Sequence, residues 1–288
     1  MTSLAFRAPY DWEGLLSFLD ARKIEGVESI SDRTYRRTVG LGVHCGWIAV
    51  SRVSGKRELR VELSRTLTPV RTQLHERLRN LFDLHARPDL IATQLMKHRA
   101  LRDSVRLNRG LRVPGAFDGF ELAVRAILGQ QVTVKAATTL SCRFAAQFGA
   151  KISTPFAELT RLSPTPQVIS AATVDSIARL GIISSRARSI IAIAQECSSG
   201  RLQLDASADP QLTIAPLCEL PGIGPWTAHY IAMRALRWPD AFPKEDIALL
   251  KRLGGLTPKE AEALSQAWRP WRSYAVLHLW NQAPRKIL

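Results

Sequence analysis

The chain has 288 residues, 46% hydrophobic and 23% charged, which is the composition of a globular protein of about two domains and not of a disordered one. No apolar run approaches the roughly 20 residues of a membrane-spanning helix, and residues 1–10 lack a signal-peptide pattern, so a cytoplasmic protein without membrane contact is expected. The 40 Lys and Arg residues outnumber the 25 Asp and Glu residues, and the net charge of +15 makes nucleic acid a candidate partner, although a simply basic surface gives the same charge.

The first ninety or so residues combine helix and strand patterns. An amphipathic helix is predicted near the N-terminus, with one apolar face formed by Trp12, Leu15, Leu16 and Leu19. An apolar run at 47–50 and an alternating run at 59–63 predict two strands joined by a glycine-containing turn. Thr68 before Pro69 predicts the N-cap of a further helix. Residues 1–92 are therefore predicted to form an α+β domain.

Short helical patterns, separated by Gly, Pro and Ser, replace the strand patterns in the rest of the chain. Asp118 with Glu121 three residues later predicts a capping box, in which each side chain bonds the backbone of the other residue, and Thr257 with Glu260 predicts a second one. A further helix is predicted over residues 184–195. Residues 93–288 are therefore predicted to form an all-α domain.

A glycine-containing hairpin is predicted at residues 219–226, between two helical patterns. Gly222 and Gly224 flank one apolar residue, which lets the backbone turn sharply and present amide groups beside the positive end of a helix dipole. Such a turn can hold a DNA phosphate. Taken alone, however, a Gly-x-Gly is more often an ordinary turn between packed helices.

The hairpin resembles that of the helix-hairpin-helix DNA glycosylases, in which a catalytic Asp follows downstream, as Asp246 does here. The chain is similar nearly end to end to the bacterial alkylation-repair family of the 3-methyladenine DNA glycosylase II type, on the stretches 8–12, 80–84, 126–132, 242–246 and 271–274. The resemblance implies a TATA-binding-protein-like α+β domain followed by an all-α helix-hairpin-helix core of two lobes with a cleft between them. It also implies a monomeric, monofunctional enzyme that flips alkylated purines, such as 3-methyladenine, out of duplex DNA and leaves an abasic site.

The resemblance also assigns roles to particular residues. Asp246 becomes the catalytic carboxylate, which stabilises positive charge on the sugar; by itself it would be the N-cap of a helix over 247–252, and Glu245 is the adjacent rival. Aromatic rings that attract a cationic base line the pocket, at Trp226, Tyr230 and Trp280. Backbone amides bind phosphate at Gly222, Gly224, Trp226 and Thr227. Carbonyls bind a metal ion at Cys218, Leu220 and Ile223, and this ion takes no part in the chemistry.

Differences from related branches refine these expectations. Trp226 stands where relatives with lyase activity carry a Lys, so no lyase activity is expected. The four cysteines lie far apart and none follows Cys218, which argues against an iron-sulfur cluster, a zinc site or a disulfide framework. The resemblance implies that catalysis needs no cofactor. Gln131 stands where well-known relatives have the Leu wedge that fills the gap left by the flipped base, and Ile247 where they have a Tyr. A glycosylase for oxidised or deaminated bases and a non-catalytic DNA-binding protein stay open as alternatives.

Overall fold

The computed structural model of the chain describes residues 2–281. Its N-terminal part is built on an antiparallel five-stranded sheet with the strand order β1-β5-β4-β3-β2. The strands are β1 (Thr2–Ala5), β2 (Glu28–Ser31), β3 (Thr34–Leu41), β4 (His44–Arg52) and β5 (Glu58–Leu63). One face of the sheet packs against helices α1 (Trp12–Asp20) and α2 (Arg71–Leu81) in a single apolar core. The predicted amphipathic helix and the predicted β4–β5 hairpin are confirmed.

Strand β3 shows why the sequence pattern found only part of this sheet. Every second residue of the strand is buried, at Tyr35, Arg37, Val39 and Leu41, and the charged Arg37 at one of these positions is only 2% exposed. A charged residue at a core position interrupts the hydrophobic alternation by which strands are recognised. β1 and β2 have four residues each, too few for the alternation to be distinguished.

The predicted N-cap at Thr68 is wrong. Arg65–Val70 forms a 3-10 helix that buries Leu67, and α2 begins only at Arg71. Thr68 lies inside this 3-10 helix, and its carbonyl accepts a hydrogen bond from the Arg71 amide. Leu67 packs in the same apolar core as the sheet, and this packing outweighs the local Thr-Pro pattern.

The remainder of the described chain, up to residue 281, consists of short helices around a second apolar core. The α-helices are α3 (Pro88–Leu95), α4 (Arg102–Leu107), α5 (Gly119–Leu128), α6 (Val134–Phe148), α7 (Pro166–Ser170), α8 (Val174–Ala178), α9 (Ser184–Ser198), α10 (Pro210–Glu219), α11 (Pro225–Arg234), α12 (Ile247–Arg252), α13 (Pro258–Ser265) and α14 (Arg272–Trp280). Helix α5 is central, because eight of its ten residues are buried. No helix in the described range is long and apolar enough to cross a membrane. The predicted boundary after residue 92 stays a prediction, and residues 282–288 of the predicted second domain lie outside the described residues.

The two predicted capping boxes have different outcomes. Thr257 and Glu260 bond each other's backbone amides at the start of α13, which confirms that prediction. Asp118 caps α5 by accepting from the Glu121 amide at 2.9 Å, but the Glu121 side chain does not return to Asp118. It is drawn away by Arg37 of the sheet and Arg125 of α5, with N···O distances of 2.8 and 2.7 Å. With Glu28, which also pairs with Arg125, these residues form a buried ionic cluster between the sheet and the helical part.

Candidate active site

Asp246 lies at the N-cap of α12, as its position in the sequence predicts. Its Oδ1 accepts a hydrogen bond of 2.7 Å from the Leu249 amide, the usual contact of a capping carboxylate. Its own amide donates to the Pro243 carbonyl at 2.9 Å, which fixes the loop before the helix. The residue is only 9% exposed. The capping role and a catalytic role are therefore compatible in one side chain.

Two tryptophans also donate to this carboxylate. The indole Nε1 of Trp226 lies 2.9 Å from Oδ2, and the indole Nε1 of Trp280 lies 3.2 Å from Oδ1. Since all three contacts are N–H donors, they suit an ionised carboxylate, which can only accept. Oδ1 takes two hydrogen bonds and Oδ2 takes one, so Oδ2 keeps the greater capacity to face a sugar or a water molecule.

The sequence identified these tryptophans as pocket walls and missed their contact with Asp246. Both tryptophans are half-buried, and an indole out of contact with water usually finds an acceptor for its N–H, which was the available signal. The acceptor itself could not be predicted, because Trp226 and Trp280 are separated from Asp246 by 20 and 34 residues. Only the packing of α11 and α14 beside the start of α12 brings the three together.

A cavity of about 420 Å³ opens beside Asp246. Its volume falls in the usual range for small-ligand pockets, and three aromatic rings lie along it. Trp226 and Tyr230 stack with ring centroids 5.3 Å apart, and the Trp280 centroid lies 6.3 Å from that of Tyr230. The structure therefore brings all three predicted pocket aromatics together beside the predicted catalytic carboxylate.

Two arginines that the sequence did not single out flank Tyr230. Arg234 Nη1 donates to the Tyr230 hydroxyl at 2.7 Å, and Arg22 also lines the cavity. Burial raises the pKa of the Tyr230 phenol, but the positive charges of Arg234 and Arg22 outweigh burial, so its pKa is lowered. Arg22 follows α1, and Glu28 and Arg37 of the sheet line the cavity as well. The N-terminal part of the chain thus forms one wall of the pocket.

The hairpin joins α10 to α11, and its two glycines have different structural requirements. Gly222 has φ +74°, which favours glycine, and a Cβ there would lie 2.4 Å from Ser189 Oγ of α9. Gly224 has an ordinary negative φ as the N-cap of α11, and a Cβ there would meet open space. The fold therefore requires glycine at position 222 but not at position 224.

The amides at the start of α11 are available to a ligand. Among residues 2–281, the backbone N–H groups of Gly222, Gly224, Trp226 and Thr227 have no acceptor. The first amides of a helix have no intrahelical partner and carry a partial positive charge. These groups can therefore bind an anion such as a phosphate.

Replacing each hairpin glycine with alanine should affect a different property: stability at Gly222 and DNA binding at Gly224. We expect Gly222→Ala to destabilise the protein by about 2 kcal/mol, because it forces the left-handed conformation and a contact with Ser189. We expect Gly224→Ala to leave the melting temperature unchanged and to weaken duplex DNA binding by about tenfold, because the methyl group blocks approach of a phosphate. Thermal melts and DNA titrations at one salt concentration measure both. Unchanged DNA affinity of Gly224→Ala would contradict binding at this hairpin.

The predicted metal site consists of backbone carbonyls. Cys218 lies in the last turn of α10, where carbonyls lack intrahelical donors and carry partial negative charge, and the Leu220 carbonyl accepts a 3.1 Å hydrogen bond from the Ile223 amide. Neutral oxygen donors at a helix C-terminus suit a hard cation and do not suit zinc. Within the described range, no group of three or more His, Cys, Asp and Glu side chains is placed to hold a metal ion.

The two positions that depart from the family pattern lie at the surface. Gln131 is exposed and has φ +53°, in the loop between α5 and α6. Ile247 is 69% exposed beside Asp246. Both side chains are accessible to a bound duplex, and the wedge role of Gln131 stays a prediction.

The indole contacts predict a loss of activity when only the N–H is removed. Trp226→Phe keeps an aromatic ring but removes the donor to Oδ2 of Asp246, and a hydrogen bond to a charged group contributes about 1.5–3 kcal/mol. We expect single-turnover base excision to fall by roughly 10- to 100-fold. Trp271→Phe is the matched control, because Trp271 does not line this cavity and should keep wild-type turnover. Equal turnover of the two variants would mean that the indole does not orient Asp246.

Comparisons with known proteins identify the family and the fold of the chain. Residues 1–118 match the family described as AlkA N-terminal domain, and residues 124–273 match the HhH-GPD superfamily base excision DNA repair protein. DNA-3-methyladenine glycosylase 2 of Escherichia coli is 35% identical over 97% of this chain and 96% of its own length. A 3-methyladenine DNA glycosylase structure from Archaeoglobus fulgidus superposes with a TM-score of 0.84 at 18% identity, covering 97% of both chains.

The chain therefore belongs to the HhH-GPD superfamily of base excision DNA repair proteins. Its AlkA-type N-terminal domain and its similarity to the E. coli protein place it in the DNA-3-methyladenine glycosylase 2 family. The family resemblance and the fold class predicted from the sequence are confirmed. Enzymes of this family need no cofactor for catalysis. A Clostridium acetobutylicum 8-oxoguanine glycosylase/lyase in complex with double-stranded DNA shares the fold with a TM-score of 0.70 at 16% identity, over 88% of this chain and 86% of its own, so the fold alone does not choose the lesion.

Proposed function

We propose that this protein excises alkylated purines, such as 3-methyladenine, from duplex DNA by flipping the damaged nucleotide and leaving an abasic site. The observation that carries the proposal is the Asp246 carboxylate, held by three N–H donors at the edge of an aromatic cavity. A base inside a duplex cannot reach such a cavity, so flipping is required. The named activity of the E. coli relative supports the same lesion class.

The carboxylate acts on the sugar. As the bond from the base nitrogen to C1′ breaks, the electron pair leaves with the base and positive charge develops on the sugar. Asp246 stabilises that charge, and Oδ2 is the oxygen with free capacity to do so. Water then bonds to C1′ and releases a proton to the solvent. The products are the free base and an abasic site.

The pocket selects its base weakly. Aromatic faces attract a cationic purine by about 0.5–2 kcal/mol per well-placed ring, but Arg22 and Arg234 bring like charge to the Tyr230 end of the cavity. The two effects oppose each other. Selection then depends mainly on the lesion: a positively charged base has a weakened glycosidic bond, so it is excised faster than a neutral base.

Strand cleavage is not part of the proposed reaction. A lyase forms a Schiff base through an amine, and among the described residues that line the cavity none is a lysine. Trp226 stands at the position where relatives with lyase activity carry a Lys, and its indole N–H donates to Asp246. Treatment with borohydride during turnover should therefore give no covalent protein–DNA product.

Contacts with the duplex complete the proposal. The hairpin amides hold a phosphate beside the lesion. The carbonyls of Cys218, Leu220 and Ile223 would hold a cation, which would add positive charge there without taking part in the reaction. Gln131 enters the gap left by the flipped base and hydrogen-bonds the orphaned partner. The protein acts as a monomer in the cytoplasm; all four cysteines are free thiols, as a reducing compartment favours.

Release of methylated purines from alkylated duplex DNA tests the function directly. We expect the wild-type protein to release 3-methyladenine and to leave alkali-labile abasic sites at one stated salt concentration. Release from DNA carrying oxidised or deaminated bases, with none from alkylated DNA, would favour the alternative glycosylase. Binding without release of any base would favour a DNA-binding protein.

A further inference from the structure

The loop that carries Gln131 is held in an unfavourable backbone conformation. Gln131 has φ +53°, in the left-handed region that residues other than glycine rarely adopt. Such a conformation persists only where neighbouring groups fix it. The preceding residue, Gln130, supplies those contacts.

The Gln130 side chain bridges this loop to the hairpin. Its Nε2 donates to the Gly222 carbonyl at 2.9 Å and to Thr227 Oγ1, also at 2.9 Å. Gly222 lies in the turn of the hairpin and Thr227 in the first turn of α11, so one amide group contacts both sides of the predicted phosphate site. Thr227 is only 2% exposed, which makes it a fixed anchor.

The Gln130 backbone is held by α9. Arg186, in the first turn of α9, donates through Nη2 to the Gln130 carbonyl. The same helix supports the hairpin, because Ser189 leaves no space for a side chain at Gly222. The loop, the hairpin and α9 therefore meet at Gln130.

We propose that Gln130 is a positioning residue that couples the phosphate grip of the hairpin to insertion of Gln131 into the duplex. When the hairpin amides hold a phosphate, the two hydrogen bonds of Gln130 set the distance from that phosphate to the inserting loop. Removal of the bridge leaves the amides free to bind DNA but lets the loop relax. This inference rests on the proposed function.

Gln130→Ala tests the coupling with two readouts. One is single-turnover excision from alkylated duplex; the other is the fluorescence of 2-aminopurine placed opposite a tetrahydrofuran abasic analogue, which reports insertion without requiring excision. We expect excision to fall by about tenfold and the fluorescence change to be lost, while the Kd for the analogue duplex and the melting temperature stay near those of the wild type. Fluorescence and excision like those of the wild type would overturn the proposal. Equal losses of affinity and melting temperature would show a merely structural role and also overturn it.

A second pair of variants tests whether loss of any positive charge from α9, and not the contact to Gln130, reduces insertion. Arg186→Gln removes the contact to the Gln130 carbonyl, whereas Arg188→Gln removes an exposed charge from the same helix. We expect only Arg186→Gln to reduce the fluorescence change. Equal reductions would overturn the proposal. Because 2-aminopurine reports insertion in the absence of turnover, failure of the coupling can be distinguished from failure of the proposed glycosylase activity.

Discussion

Asp246→Asn should abolish base excision while the protein continues to bind DNA. The substitution removes the negative charge that faces the sugar, and we expect the single-turnover rate to fall by about 1,000-fold or more. Asn is an effective N-cap and can still accept the hydrogen bond from the Leu249 amide, so α12 should stay folded. Rates of 3-methyladenine release and the Kd for duplex DNA, at one salt concentration, measure the two effects separately.

The neighbouring Glu245 provides the matched control. It is the other acidic residue at the start of α12, and its Oε2 is buried without a hydrogen-bond partner in the described chain. Glu245→Gln removes the same charge one residue away and should leave excision close to that of the wild type. Loss of turnover in Glu245→Gln with retention in Asp246→Asn would assign the chemistry to Glu245.

The local features of this site could be predicted from the sequence, but its long-range contacts could not. The cap at Asp246 and the turn at Gly222 depend on residues close in the chain, so their patterns are visible there. The indole of Trp280 reaches Asp246 across 34 residues, and the contact exists only because α14 packs beside α12. Family resemblance supplied the residue types, and tertiary packing supplied their hydrogen bonds.

Buried charge explains most of what the sequence missed. Arg37 interrupts the hydrophobic alternation of β3, and Glu121 pairs with arginines in place of its predicted capping contact. Arg234 lies at the cavity although no sequence motif predicted it there. Each of these side chains is buried because it has an oppositely charged or hydrogen-bonding partner on another element. Hydrophobic periodicity cannot identify such residues, since the pattern treats every charge as a surface position.

The buried ionic cluster predicts a large effect on stability. Glu121 lies between Arg37 and Arg125, and both it and Arg37 are almost completely buried. Glu121→Gln keeps the shape of the side chain but leaves two guanidinium groups with only Glu28 as a carboxylate partner. Removal of one member of a buried pair typically costs about 3–5 kcal/mol, so we expect the free energy of unfolding to fall by about 3 kcal/mol at neutral pH. Urea unfolding followed by circular dichroism measures it.

The same cluster predicts how this effect depends on pH. Burial alone raises the pKa of Glu121, but the charges of Arg37 and Arg125 and the hydroxyl of Ser163 outweigh burial, so its folded pKa lies well below the ordinary 4.5. A lowered folded pKa stabilises the protein above the unfolded pKa, and this contribution is lost as the pH falls below about 4.5 toward the folded value. The stability difference between wild type and Glu121→Gln should therefore be constant above pH 5 and shrink at lower pH.

Glu196→Gln is the matched control for the cluster. Glu196 forms an ion pair of 2.6 Å with Arg201, but this pair is on the surface and the Arg201 side chain is 65% exposed. Solvent screens such a pair, so its loss should leave the urea midpoint unchanged. If Glu121→Gln also unfolded at the wild-type midpoint, the charges of the cluster would not stabilise the contact between the sheet and α5. That contact would then depend on apolar packing alone, and Arg37 and Glu28 would line the cavity beside Asp246 without holding its wall in place.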